Sequence, residues 1–125
     1  MKKMKRPYGS AIRVYVAGPY RGDGQQATVE KNIYQARIAA TKLARAGLFP
    51  LTPHLNTALF DFEDGLIDVD PSFWLDNYKD LVLDCDAVLV LPGKSSGTEA
   101  EVAAAIKHGV PVFWSLNELL DELCK

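Results

Sequence analysis

Apolar and polar residues alternate at the start of the ordered pattern. In "AIRVYVAG", residues 11–18, Ile12, Val14 and Val16 stand against Arg13, Tyr15 and Ala17, and a glycine closes the run. Period two predicts a strand. After a polar, glycine-rich loop, "PYRGDGQQ", the period changes. Val29, Ile33, Ala36, Ala40, Leu43 and Ala44 recur at helical spacing, with Gly47 as the stop. "LFPL" predicts a short second strand, and Pro50 assigns it to a sheet edge. Asp70-Pro71 opens a helix through "SFWLDNYKDLVLDC", with Asp as cap and Pro at the first helical position. "DAVLVLPG" is apolar almost throughout, as expected of a strand buried on both faces. A helix from about Thr98 to His108 follows, then a strand in "VPVFW". A last helix begins at a Ser115-x-x-Glu118 capping box.

Strands alternating with helices imply parallel strands joined by right-handed crossovers. The expected fold is α/β: a small doubly wound, flavodoxin- or Rossmann-like three-layer sandwich with a four- to five-stranded parallel sheet. With strand order 2-1-3-4, the switch point falls between the first and third strands. Ligands bind beyond the carboxyl ends of strands at that point. "GPYRGDG" and "PGKSSGTEAE" therefore converge on one crevice.

Composition adds limits. A chain of 125 residues suits one domain, here 11–125 preceded by a flexible basic tail, 1–10. Hydrophobic residues make up 48% and the formal net charge is -2, so neither a nucleic-acid polymer nor a membrane is expected as partner. Cys85 and Cys124 form no metal spacing, which fits a reducing, cytoplasmic setting. The acid-rich stretch 61–70 lacks the terminal glutamate of a calcium loop and reads as a solvated loop or lid. Phe60, Phe62, Phe73 and Trp74 flank it, placed to close over a base or to pack as core.

The loop before the Thr98 helix meets free N–H groups and a positive dipole end, which attract anions. Ser95, Ser96 and Thr98 add hydroxyls, and Arg21 in the facing loop adds a forked cation. Neither loop is a dinucleotide fingerprint or a P-loop, so a mononucleotide-sized ligand fits better. Glu99 and Glu101 divide two roles between them. Ser96-x-x-Glu99 and Thr98-x-x-Glu101 both match capping boxes, so one glutamate stabilises the helix start. The other either stabilises the first turn as well, through the dipole, or points into the crevice as nucleophile or base. A carboxylate at a helix N-terminus is expected to stay ionised.

The motifs "VYVAGPYRG", "PHL", "FWL", "CDAVLVLPG" and "SSGTEAE", with "GVPV" after them, resemble in order and spacing the nucleoside 2-deoxyribosyltransferase superfamily. Its short bacterial and phage members and its nucleotide N-glycosidases are the most similar branch. The resemblance covers most of residues 12–113. It implies that Glu101, not Glu99, attacks the sugar C1′ and displaces the base, and that Tyr15 orients it. Gly18, Pro19, Tyr20 and Arg21 would approach the sugar and a 5′-phosphate. Ser95, Ser96 and Gly97 would bind phosphate or sugar hydroxyls. His54, after Pro53 at the end of the second strand, reads from its position as a loop histidine or as a contact to a base or phosphate. Asp76 or Asp80, one helical turn apart, would assist the departing base. Superfamily transferases often carry an acid where this chain has Ser95, which favours a phosphorylated substrate or a hydrolase. The resemblance implies no metal or cofactor and a homodimer or higher homo-oligomer. A catalytically silent nucleotide sensor of the same fold is the alternative; it would have little need of Glu101.

Overall fold

A computed structural model describes residues 6–60 and 69–124. The acid-rich stretch through Asp68, with Phe62, and the first five tail residues lie outside them. Strand β1 (Arg13–Ala17) leads to the long helix α1 (Gln26–Arg45), then β2 (Phe49–Leu51) and a four-residue helix α2 (Pro53–Asn56). Helix α3 (Pro71–Leu83), β3 (Ala87–Val90), α4 (Ser96–Lys107), β4 (Val112–Phe113) and α5 (Leu116–Leu123) complete the chain. The four strands are all parallel, in the order β2-β1-β3-β4. Pro50 thus sits on an edge, where its missing N–H leaves no ladder bond unmade.

Period-two alternation in β1 supplies both sides of the sheet. Val14 and Val16 pack with Ala39 and Leu43 of α1 and Leu119 of α5. Tyr15 and Ala17 turn the other way, against Val82 and Ala105 from α3 and α4. Every β3 residue is buried, since both faces are covered. Complete burial of a Val or Leu side chain contributes roughly 1.5–3 kcal/mol, so these two apolar layers hold the sandwich together.

The helix starts follow local chemistry. Asp70 accepts from the Ser72 N–H at 3.0 Å, and Ser115 from the Glu118 N–H at 3.3 Å. For α4 the cap is Ser95, whose Oγ accepts from the Thr98 N–H at 3.3 Å. Both glutamate boxes expected from the sequence are therefore corrected. Glu99 lies in the first turn, exposed, while Glu101 falls a turn too late to cap. Helix α2 was not foreseen, although Thr52-Pro53 carries its start signal, Pro at the first position.

The tail also differs from expectation at Arg6. Its side chain is 7% exposed, with Nη2 donating to the Asp84 carbonyl at 2.8 Å and Nη1 lying 3.5 Å from Asp86 Oδ2. That carboxylate also accepts from the Arg13 N–H at 2.8 Å. The chain is thus tied down at the amino ends of β1 and β3, opposite the crevice, while Tyr8 stands fully exposed. Among the described residues no helix is long and apolar enough to cross a membrane.

Candidate active site

Beyond the carboxyl ends of β1 and β3 lies a cavity of about 610 Å³. The β1 loop, α2, the first turns of α3 and the start of α4 wall it. Two glycines let the β1 and β3 loops meet there. A Cβ on Gly18 would stand 2.9 Å from Leu91 Cβ, and one on Gly93 2.9 Å from Pro19 Cγ. Gly93 also has φ of +115°, a conformation that L side chains rarely adopt.

Gly18, Pro19, Tyr20, Arg21, His54, Ser95, Ser96, Gly97 and Glu101 all line this cavity. Tyr15 lies beneath it, fully buried in the sheet. Its hydroxyl donates a buried hydrogen bond to Glu101 Oε2. Tyr15 is held neutral: burial first, then the neighbouring Glu101 carboxylate, push its pKa far up.

Glu101 departs from expectation. It is 9% exposed and sits in the second turn of α4, away from the free N–H groups. Burial raises its pKa from 4.5 to about 7, against the opposing Tyr15 hydrogen bond. The dipole argument for a permanently ionised carboxylate is therefore outweighed by desolvation. A carboxyl with such a pKa populates both protonation states near neutrality, which suits a reacting group.

Asp76 and Asp80 are exposed, and neither reaches the cavity. Asp76 instead lies 3.6 Å from Lys79. The reason is helical phase: Trp74, Leu75 and Tyr78 of α3 face the crevice and Val82 the core. The two aspartates share a face, but it is the opposite one. Their expected role beside the departing base is corrected accordingly. Among the described residues, Glu101 is the sole carboxylate lining the cavity.

His54 is buried on the far wall. Its Nε2–H donates to the Pro19 carbonyl at 3.0 Å, and burial lowers its pKa. The neutral ring then offers Nδ1 as an acceptor, buried and without a partner among the described residues. Tyr20, edge-on to His54, donates to the Thr57 carbonyl at 3.2 Å and accepts from the Leu59 N–H at 2.9 Å. It thereby pins a turn in which Leu59 takes φ of +62° and Phe60 meets Trp74 edge to face. Phe60 and Trp74 line the mouth; Phe73 packs on Trp74 from outside it. Sequence reasoning missed Tyr78, whose hydroxyl accepts from Asn56 Nδ2 at 3.0 Å, and left Thr98 among generic hydroxyls. The apolar spacing of α3 carried the signal for Tyr78.

A family model described as a domain of unknown function (DUF7768) matches residues 12–115. A comparison with curated protein sequences gave no match. Among solved structures, a conserved protein from Enterococcus faecalis V583 is similar with a TM-score of 0.63 at 20% identity, over 82% of this chain. The match spans only 61% of that protein's length. The 2-deoxyribosyltransferase of the psychrotolerant Bacillus psychrosaccharolyticus is similar with a TM-score of 0.58 at 17% identity, over 86% of this chain and 89% of that one. At these identities the likeness shows a shared Rossmann-like fold.

Proposed function

The chain belongs to the DUF7768 family, and from its fold and crevice we infer that it cleaves or transfers at the N-glycosidic bond of a nucleoside or nucleoside 5′-monophosphate. One observation carries the reading: a buried carboxylate, Glu101, lines the cavity and is oriented by the Tyr15 hydroxyl. Its other oxygen attacks C1′ through an oxocarbenium-like transition state. The C1′–N bond breaks, its electron pair leaves with the base, and the base takes a proton from solvent. The resulting glycosyl ester on Glu101 is resolved by water or by a second base attacking C1′, which restores the carboxylate. The similar 2-deoxyribosyltransferase lends support to nucleoside chemistry.

The rest of the cavity suits such a substrate. Phe60, Trp74 and Tyr78 offer aromatic surface for a base, and His54 Nδ1 accepts one of the substrate's donors. Arg21, Ser95, Ser96 and the N–H groups of the first α4 turn receive a 5′-phosphate. The setting proposed is cytoplasmic, and the assembly a homo-oligomer; Ile106 and Trp114, more than half exposed, offer it apolar surface.

The raised pKa favours a second reading, in which Glu101 acts protonated as a general acid. The direction of the pH profile separates the two. A nucleophile gains activity as pH rises through about 7, whereas a general acid loses it.

The test is a panel of ribo- and deoxyribonucleosides and their 5′-monophosphates, with and without a second free base, followed by chromatography. Base release by the wild type, reduced at least about a thousandfold in Glu101→Gln, is expected. Binding without release from any member would leave a nucleotide sensor and overturn the reading.

A further inference from the structure

Thr98 is 6% exposed, and its Oγ1 has no hydrogen-bond partner among the described residues. The cap of α4 is Ser95, whose Oγ accepts from the Thr98 backbone N–H, so the Thr98 hydroxyl is not the helix cap. A buried hydroxyl left unpaired costs about 1–3 kcal/mol, so its retention in a cavity wall points to a ligand. Thr98 and Glu101 are three residues apart on α4, and both line the cavity. That spacing places their Cβ atoms about 5–6 Å apart on one helix face.

Sugar stereochemistry then decides what the hydroxyl meets. A nucleophile displacing the base of a β-nucleoside approaches C1′ from the ring face opposite the base. In ribose, the 2′-hydroxyl projects from that same face, on the carbon next to C1′. In 2-deoxyribose it is absent. We propose that Thr98 Oγ1 is the hydrogen-bond partner of a ribose 2′-hydroxyl, so that this site takes ribonucleosides or ribonucleotides in preference to their 2′-deoxy counterparts. This rests on the Glu101 reading above. The 2′-deoxy analogue leaves Thr98 unpaired, and a site built to bond a substrate hydroxyl discriminates against the analogue lacking it. Bonds to that hydroxyl also strengthen as the transition state forms.

The experiment compares kcat/KM for matched ribo and 2′-deoxy substrates in wild type, Thr98→Val and Thr98→Ser. The readout is the ribo-to-deoxy ratio, which cancels the greater intrinsic lability of deoxynucleosides. It is expected to fall by about ten- to hundredfold in Thr98→Val and to stay near wild type in Thr98→Ser. A ratio unchanged within about twofold in Thr98→Val overturns the proposal. The thermal midpoint of Thr98→Val is not expected to fall, because the hydroxyl removed has no partner among the described residues; a fall would assign it a structural role instead. Should the wild type release no base, the catalytic reading fails separately. Calorimetry of the matched pair on Glu101→Gln, with and without Thr98→Val, then decides the contact. A ribo preference abolished by Thr98→Val supports it, and equal or absent binding of the two overturns it.

Discussion

Burial and the Tyr15 hydroxyl pull the Glu101 carboxyl in opposite directions, and burial prevails, leaving its pKa at about 7. For a nucleophile the ionised form is the active one. The kcat/KM profile is therefore expected to rise with pH and level off above about 7. Tyr15→Phe removes the bond that favours the carboxylate, so its acid limb should move to higher pH while the maximum falls. A limb that stays in place, or moves down, would count against Tyr15 as the partner. That Glu101 would line the crevice was legible from the resemblance carried by S-x-G-x-x-x-E; its protonation was not. Spacing locates a carboxylate on a helix, but burial depends on what the sheet and Tyr15 bring against it.

The elements around the site hold it by close packing and a cap. Gly93→Ala introduces a Cβ 2.9 Å from Pro19 Cγ at φ of +115°. It is expected to lower stability by about 1–3 kcal/mol in urea denaturation and to raise KM by parting the two loops. Ser95→Ala removes the Thr98 N–H partner and should lower stability by about 1 kcal/mol. The helices themselves were readable, since Asp70, Ser115 and the apolar periods mark them. The face of α3 was misread because two acids one turn apart were placed toward the crevice. The stripe of Trp74, Leu75, Tyr78 and Val82 fixes the phase the other way. A four-residue helix such as α2 carries too few positions to show a period.

Across the whole molecule, the strand order was legible because β3 is apolar throughout and β2 carries Pro50. These traits belong to the centre and the edge of a parallel sheet, and the switch point follows from them. The contact of Arg6 with Asp84 and Asp86 was not, as it joins residues far apart in sequence. Stability and the proposed chemistry share one group. Because the folded pKa of Glu101 is raised from 4.5 to about 7, its contribution is fully present below 4.5 and lost as pH rises through 7. The loss is roughly 3 kcal/mol. Glu101→Gln, which still accepts from Tyr15, should match the wild type in thermal midpoint near pH 4 and exceed it near pH 8. The most direct measurement of the central claim is mass spectrometry of peptides after rapid acid quench during turnover on the best substrate of the panel. The peptide bearing Glu101 is expected to gain the mass of the glycosyl group. A glycosyl adduct on another residue, or base release undiminished in Glu101→Gln, would contradict the account.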